Sequence, residues 1–227
     1  MGNRIVVGDI HGCAKTFRKL VNKKIRPGKD DELILLGDYI NKGPDSKGVL
    51  DFIIELQTSG LKVTTLMGNH EKNLLDGLKY TWEEIAFKNH GGIATLKSFN
   101  VSKICDIPEN YISFIASMPY FLETNKLLIV HAGLNFDLDD PYRDDFAMLN
   151  IREMEVRPEK IGNKTIIHGH TPLPWKAIKS KINGQEKEME YNLDAGCVYP
   201  EYPDYGRLAA LNIDKWEVYF QKNIEKK

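Results

Sequence analysis

An α/β fold of two packed β-sheets with helices outside is what this 227-residue sequence predicts, on three observations. Short apolar runs rich in β-branched residues recur along the chain, and several stop at a glycine. Stretches of helical period separate the first three runs, as crossovers between parallel strands require. Further runs follow in the second half, so both halves supply strands, and two sheets packed face to face bury them all.

The first run, Ile5-Val6-Val7, ends at Gly8, and residues 14–24 then place Phe17, Leu20 and Val21 at helical spacing. Leu33 to Leu36 forms the second run and ends at Gly37; residues 46–58 follow with Val49, Leu50, Ile53 and Ile54 on one helical face. Lys62 to Met67 is the third strand and ends at Gly68. Residues 71–119 show several short helical stretches and no clear strand, which predicts a helical excursion from one domain spanning 1–227. Strands resume at Leu127–Val130 and Thr165–Ile167. Residues 175–182 and 187–193 flank Asn183-Gly184, and that dipeptide predicts a hairpin with a primed turn. Residues 207–213 and 216–221 read as a closing pair of strands, and the last residues, Glu225-Lys226-Lys227, as a frayed end.

Composition narrows the function classes. Lys and Arg (31) nearly balance Asp and Glu (32), so no basic face for nucleic acid is expected. The apolar runs are strand-sized, short of a membrane span. The N-terminus lacks a signal-peptide shape, and Gly2 lacks the Ser or Thr that myristoylation prefers. Cys13, Cys105 and Cys197 are too scattered for a disulfide framework or a structural zinc site and suit a reducing cytosol. The expectation is a cytoplasmic protein, with a monomer sufficient.

The chemistry lies just past the strands. Five of them lead directly into Gly8-Asp9-Ile10-His11-Gly12, Gly37-Asp38, Gly68-Asn69-His70-Glu71, His131-Ala132-Gly133 and His168-Gly169-His170. Ligands of α/β sheets bind beyond the carboxyl ends of strands, so these five loops should converge. Asp9 and His11 are two apart and in extended backbone point the same way. Carboxylate, imidazole and amide oxygen together suit Mn, Fe or Zn, and two such ions about 3.5–4 Å apart can share a hydroxide and clamp a phosphate. One Gly-Asp is ordinarily a turn and one His ordinarily a structural residue; five such loops in succession are not explained that way.

The first three blocks resemble the three signature motifs of PPP-type serine/threonine phosphatases, with Gly43 completing the second. His131-Ala132-Gly133-Leu134 and Gly169-His170-Thr171-Pro172 resemble the later histidine blocks of the wider calcineurin-like metallophosphoesterase superfamily. The similarity runs from Asp9 to about Gly196. It implies a four-layer α/β/β/α sandwich of two mixed sheets flanked by helices. It also implies two divalent metal ions, Mn foremost, with Asp9 and His11 on the first, Asp38 bridging, and Asn69, His131 and His170 on the second. His70 is similar to the family's general acid, Arg152 to its phosphate-gripping arginine, and Asn69 and Lys42 fall beside the substrate. His168 precedes the Gly-His pair, so it inherits no metal role and is expected to support or pack.

The chain departs from that pattern at Asn41-Lys42, where the family usually has Asp-Arg. Lys42 keeps the charge without the planar fork, and Asn41 cannot supply the negative charge that favours a protonated imidazole. Restoring Asp and Arg there is expected to raise turnover of an aryl phosphate; no gain would mean a site tuned for another substrate. The leading expectation is a phosphomonoesterase acting on a phosphorylated protein or a small phosphoester. The alternative is a symmetrical dinucleoside tetraphosphate hydrolase, for which Tyr39, Tyr80 and Trp82 could stack a base. A metal-dead binding module would have lost ligands, and none of the six is lost. Glu71 is read as a helix-start residue, Asp194 as a support for a ligating histidine, Cys197 as a packed side chain, and the five aspartates of 137–145 as a solvated loop.

Overall fold

The computed structural model describes residues 2–184 and 188–225. Strand β1 (Arg4–Val7) leads to α1 (Ala14–Lys19), which continues as a π-helical turn, then to β2 (Glu32–Leu35), α2 (Ser46–Thr58) and β3 (Lys62–Thr65). Helices α3 (Asn69–Gly77), α4 (Thr81–Phe87), α5 (Ile93–Ser98) and α6 (Glu109–Ala116) make up the expected helical excursion. The remainder comprises β4 (Phe121–Glu123), β5 (Leu127–Val130), α7 (Asp145–Asn150), β6 (Thr165–His168), α8 (Trp175–Ile182), β7 (Glu190–Asn192), β8 (Arg207–Asn212) and β9 (Glu217–Lys222).

One sheet has the order β3-β2-β1-β8-β9 and the other β4-β5-β6-β7. β1, β2 and β3 are parallel, and β8 joins them antiparallel with Val6 opposite Leu211. β5, β6 and β7 are parallel, with β4 antiparallel at the edge. Both sheets are therefore mixed, as expected.

Side-chain alternation sorts the apolar residues into layers. Ile5, Val7, Leu33 and Leu35 pack with Phe17, Leu20, Val49, Leu50 and Ile53 of the helices. Their neighbours Val6 and Ile34 point the other way, against Ile129, Ile167, Tyr191, Ala209 and Leu211 between the sheets. On the far side of the second sheet, Leu128, Val130 and Ile166 meet Met148 of α7. Central strands apolar on both faces are what parallel pairing buried between helices and a second sheet demands. Helix α2 begins where the Asp45 carboxylate accepts from Gly48 N at 2.8 Å, a cap contributing ~1 kcal/mol.

The expected hairpin is absent. Residues 175–182 form α8, because Trp175, Ile178 and Ile182 share a helical face, and the two isoleucines are buried against the inter-sheet core. Asn183 ends that helix, and β7 pairs parallel with β6. Residue 187, assigned to the hairpin's second arm, lies outside the described residues. So do Lys226 and Lys227, whereas Glu225 is not frayed: its carboxylate accepts from Thr16 N and Oγ1 at 2.8 and 3.0 Å.

Tyr39 stacks no base. It is fully buried, and its hydroxyl lies 3.0 and 2.9 Å from the carbonyls of Leu35 and Leu66, joining the ends of β2 and β3. Tyr39→Phe is expected to cost about 1–2 kcal/mol in urea unfolding, since it leaves buried carbonyls short of a donor. A cost near zero would remove the hydroxyl from any part in holding the strand ends.

Candidate metal centre

The loops after β1, β2, β3, β5 and β6 meet above the carboxyl edges of both sheets. Backbone bonds knit them in pairs: Ile10 N and His11 N donate to Asp38 O, and Gly169 N donates to His131 O. Close approach dictates glycine at two points. A Cβ on Gly37 would stand 2.7 Å from Gly68 Cα, and one on Gly169 would stand 2.1 Å from Asp9 Oδ1. His11, Asp38, Asn41, Lys42 and His170 all have positive φ, five of the nine such non-glycine residues described. Such backbone costs on the order of 1–3 kcal/mol per residue and gathers where function requires a particular placement.

Asp38 is the centre. Its Oδ2 lies 3.3 Å from His11 Nε2 and 3.8 Å from His70 Nε2, while Oδ1 lies 3.4 Å from His131 Nε2. Two donor groups result, His11–Asp38–His70 and Asp38–His131–His170, each with its ligand atoms within 4.8 Å of one another. Asn69 joins the second, its Oδ1 3.1 Å from His131 Nε2. The surrounding histidines and Lys42 hold Asp38 well below the usual carboxylate range despite its burial.

Backbone carbonyls sort the histidines by tautomer. His11 Nδ1 donates to Ile40 O (3.1 Å) and His131 Nδ1 to Leu36 O (2.9 Å), which leaves both Nε2 atoms as lone pairs facing Asp38. His70 is arranged the other way. Asn41 Oδ1 accepts from Thr95 Oγ1 at 2.7 Å, so Asn41 Nδ2 donates to His70 Nδ1 at 2.8 Å, and the ring proton stands on Nε2 toward the centre. Burial, with Lys42 and neighbouring histidines adding to it, pushes His70 down to about 4, and burial, with His131, Arg152 and His70 adding to it, pushes His170 down to about 3.

Other predicted residues stand around these groups. Asp9 is buried beside them rather than within either, accepting from His170 N at 3.1 and 3.3 Å. Burial and the Asp194 and Asp38 carboxylates push it well above its usual value. Asp194 supports no histidine: its Oδ1 accepts from Gly196 N at 2.8 Å, and burial raises it to about 7. Lys42 Nζ lies 3.0 Å from His11 Nε2. Arg152, just beyond α7, lines the cleft over the centre. Cys197 is packed as expected, beside the Cys13 thiol. Tyr80 and Trp82 stack on each other, 6.1 Å between centroids, and are exposed outside the residues lining that cleft. Within 137–145, Asp140 and Asp144 cap short helices, accepting from Tyr142 N and Ala147 N.

Sequence reasoning missed Glu71. It is completely buried, and its carboxylate accepts from the backbone N–H of Asp38 and Tyr39 at 2.8 Å and of Ile40 and Gly68 at 3.2 Å. Burial and Asp38 push it up to about 8 against the pull of the Ile40, Tyr39 and Asp38 N–H donors. The available signal was an acidic residue one step past the Gly-Asn-His block.

The profile of the calcineurin-like phosphoesterase family matches residues 3–206. The chain belongs to that family. Among its curated relatives, bis(5'-nucleosyl)-tetraphosphatase PrpE (asymmetrical) of Bacillus velezensis is 24% identical over 218 residues, covering 86% of this chain and 84% of that protein. The symmetrical bis(5'-nucleosyl)-tetraphosphatase of Nitrosospira multiformis is 31% identical over 130 residues, 56% of this chain and 42% of the relative, so that match spans less than half the relative's length. Among solved structures, a serine/threonine phosphatase of Saccharomyces cerevisiae with similarity to human PP5 aligns with TM-score 0.68 at 15% identity, over 100% of this chain and 81% of that one. A structure provisionally assigned as a diadenosine tetraphosphatase aligns with TM-score 0.62 at 21% identity, over 99% and 95%. At those identities the structures speak for the fold.

The donor set of this phosphoesterase fits divalent ions. Ligand atoms 3.3 and 3.4 Å apart across Asp38 match the edge of a coordination shell with bonds of about 2.0–2.2 Å. Carboxylate oxygens, oriented imidazole lone pairs and an amide oxygen suit Mn, Fe or Zn alike. Above them opens a cleft of about 700 Å³ lined by Lys42, Asn73, His90, Asn150, Arg152 and Tyr199, among others.

His168 belongs to neither donor group and pairs through Nε2 with Glu190, whose other oxygen accepts from Lys181 Nζ at 2.6 Å. The His168 bond, with Lys181, holds Glu190 down at about 2. A depressed folded-state carboxylate contributes stability above its unfolded value near 4.5, and that contribution is lost as pH falls toward 2. Glu190→Gln is expected to cost about 1–2 kcal/mol at pH 7, after discounting for solvent screening, and to flatten stability between pH 4.5 and 2. Parallel pH–stability curves for the two proteins would discount the pairing.

Proposed function

We propose that the chain is a divalent-metal hydrolase of dinucleoside polyphosphates that cleaves a phosphoanhydride bond with water. The observation that carries this reading is the spread of the cleft. Lys42, His90 and Arg152, with the amides of Asn73, Asn89 and Asn150, stand around both donor groups, and a run of phosphates needs several anion-binding points where one phosphoserine needs a single one. The relative matched along most of the chain is named a bis(5'-nucleosyl)-tetraphosphatase, which favours this alternative over the protein phosphatase expected first.

Asp9, His11, Asp38, Asn69, His131 and His170 would hold two divalent ions. When bound, these supply Lewis-acid charge and an activated water. Arg152 and Lys42 bind phosphoryl oxygens, with Asn69 beside them, and orient the phosphorus for in-line attack. His70, neutral with its one ring proton on Nε2, donates a hydrogen bond from that N–H to the departing phosphate oxygen and keeps the proton, and Asn41, hydrogen-bonded at Nδ1, holds that tautomer. Thr95 and Ser46 hold Asn41 from behind. Among the described residues no helix is long and apolar enough to cross a membrane. Such a substrate is a soluble one, and the buried free thiols of Cys13 and Cys197 suit a reducing cytoplasm.

The test compares a dinucleoside tetraphosphate with a phosphoserine peptide, both with Mn. The expected result is a kcat/KM at least about tenfold higher for the nucleotide. A preference for the peptide would overturn the reading in favour of a protein phosphatase.

A further inference from the structure

The placement of Lys42 carries an inference that rests on the metal-centre reading above. Lys42 and Asn41 both have left-handed backbone (φ 63° and 70°), and Lys42 N donates to Gly91 O. This turn sends the side chain inward, where Nζ stands 3.0 Å from His11 Nε2. His11 Nδ1 is already committed to Ile40 O, so Nε2 has one lone pair, and the ammonium takes it as a hydrogen-bond acceptor. The same lone pair is the one a metal ion would need. The ammonium also acts on Asp9, Asp38 and Asp194, the carboxylates of that side.

The other half of the centre differs. Among the described residues no ammonium stands at Asn69 Oδ1 or His131 Nε2; their near neighbours are each other and Asp38 Oδ1. Lys42 also has somewhere to go. It lines a second cavity of about 280 Å³ on its other side, whose wall includes the carboxylate residues Glu201 and Glu225.

We propose that Lys42 is a built-in cation of the His11 half of the centre, so that the two ions bind unequally. The half formed by Asn69, Asp38, His131 and His170 loads first. The His11 half loads only as Lys42 withdraws from Nε2, into the substrate cleft that it also lines or toward the Glu201 cavity, because one lone pair cannot serve both and like charges repel at contact distance. Lys42 thus sets the metal stoichiometry at limiting ion concentration, apart from any contact with substrate.

The experiment is a calorimetric titration of the metal-free full chain with Mn, with metal content after gel filtration read by mass spectrometry. Wild type is expected to bind one ion at least tenfold more tightly than the second. Lys42→Met, of similar length without charge, is expected to tighten the second ion at least tenfold and to move the first by less than threefold. Lys42→Arg keeps a cation and should keep the two ions unequal. The spectrum of spin-coupled Mn pairs should emerge at lower Mn in Lys42→Met. Equal affinities in wild type, or a second ion unmoved in Lys42→Met, would overturn the proposal while leaving a metal centre in place. Should Lys42→Met fail to fold, as melting curves would show, the wild-type affinities and Lys42→Arg still decide. Binding of no ion by any of the proteins would remove the metal-centre reading itself and this proposal with it.

Discussion

Asp38→Ala is expected to lower kcat/KM by about 10⁴-fold or more and to leave the purified protein with at most one bound ion in place of two. Loss of a single charge-stabilising group in such sites costs about 10²–10³-fold, and Asp38 faces both donor groups through separate oxygens. It also accepts from His70 N at 3.2 Å, so His70 loses a positioning contact as well. The fold should survive, because the carboxylate lies at the mouth of the strands, and the backbone bonds of its loop to Glu71 and to Ile10 and His11 remain. Circular dichroism, metal analysis and turnover together make the check. Activity within tenfold of wild type would mean that the ions, if bound, do not share this residue.

Glu71→Ala should have the largest effect on stability of any single change near the site. It strips acceptors from four buried N–H groups at once. With a buried donor left unpaired costing about 1–3 kcal/mol, and water entering to relieve some of them, a loss of about 3–5 kcal/mol is expected in urea unfolding. Three of those donors belong to the segment 38–40 that carries Asp38, the carboxylate facing both donor groups, so activity should fall by at least about 10²-fold even in the folded fraction. A loss below 1 kcal/mol would show that solvent serves these amides as well as the carboxylate does.

Much of this was legible without coordinates. Strand ends announce themselves when a β-branched run stops at Gly8, Gly37 or Gly68, and the polar residues that follow are brought together because parallel strands all present the same end. What was not legible has physical causes. Asn183-Gly184 carries a strong local turn preference, but the burial of Ile178 and Ile182 decided for a helix, and tertiary packing outweighed the dipeptide. β4 has three residues, too few to show a period. Glu71 follows a motif and begins a helix, and no local pattern distinguishes a solvated carboxylate from one that ties down a neighbouring loop across 33 residues of sequence. Likewise the exchange of Asn41 for a carboxylate is visible in sequence, while its hold by Thr95, 54 residues away, is not. Tyr39 shows the converse, an aromatic beside the chemistry whose work is joining two strands.

The pairing of β1 with β8, which sets Val7 against Ala210, has a consequence for how the protein comes into being. Three strands of the first sheet are written at one end of the message and two near the other, and the proposed metal centre draws its donors from residue 9 through residue 170. A chain still leaving the ribosome therefore possesses Asp9 and His11 long before the sheet that positions them is complete. If those residues hold ions as proposed, discrimination among metals has to wait until β8 has joined the sheet.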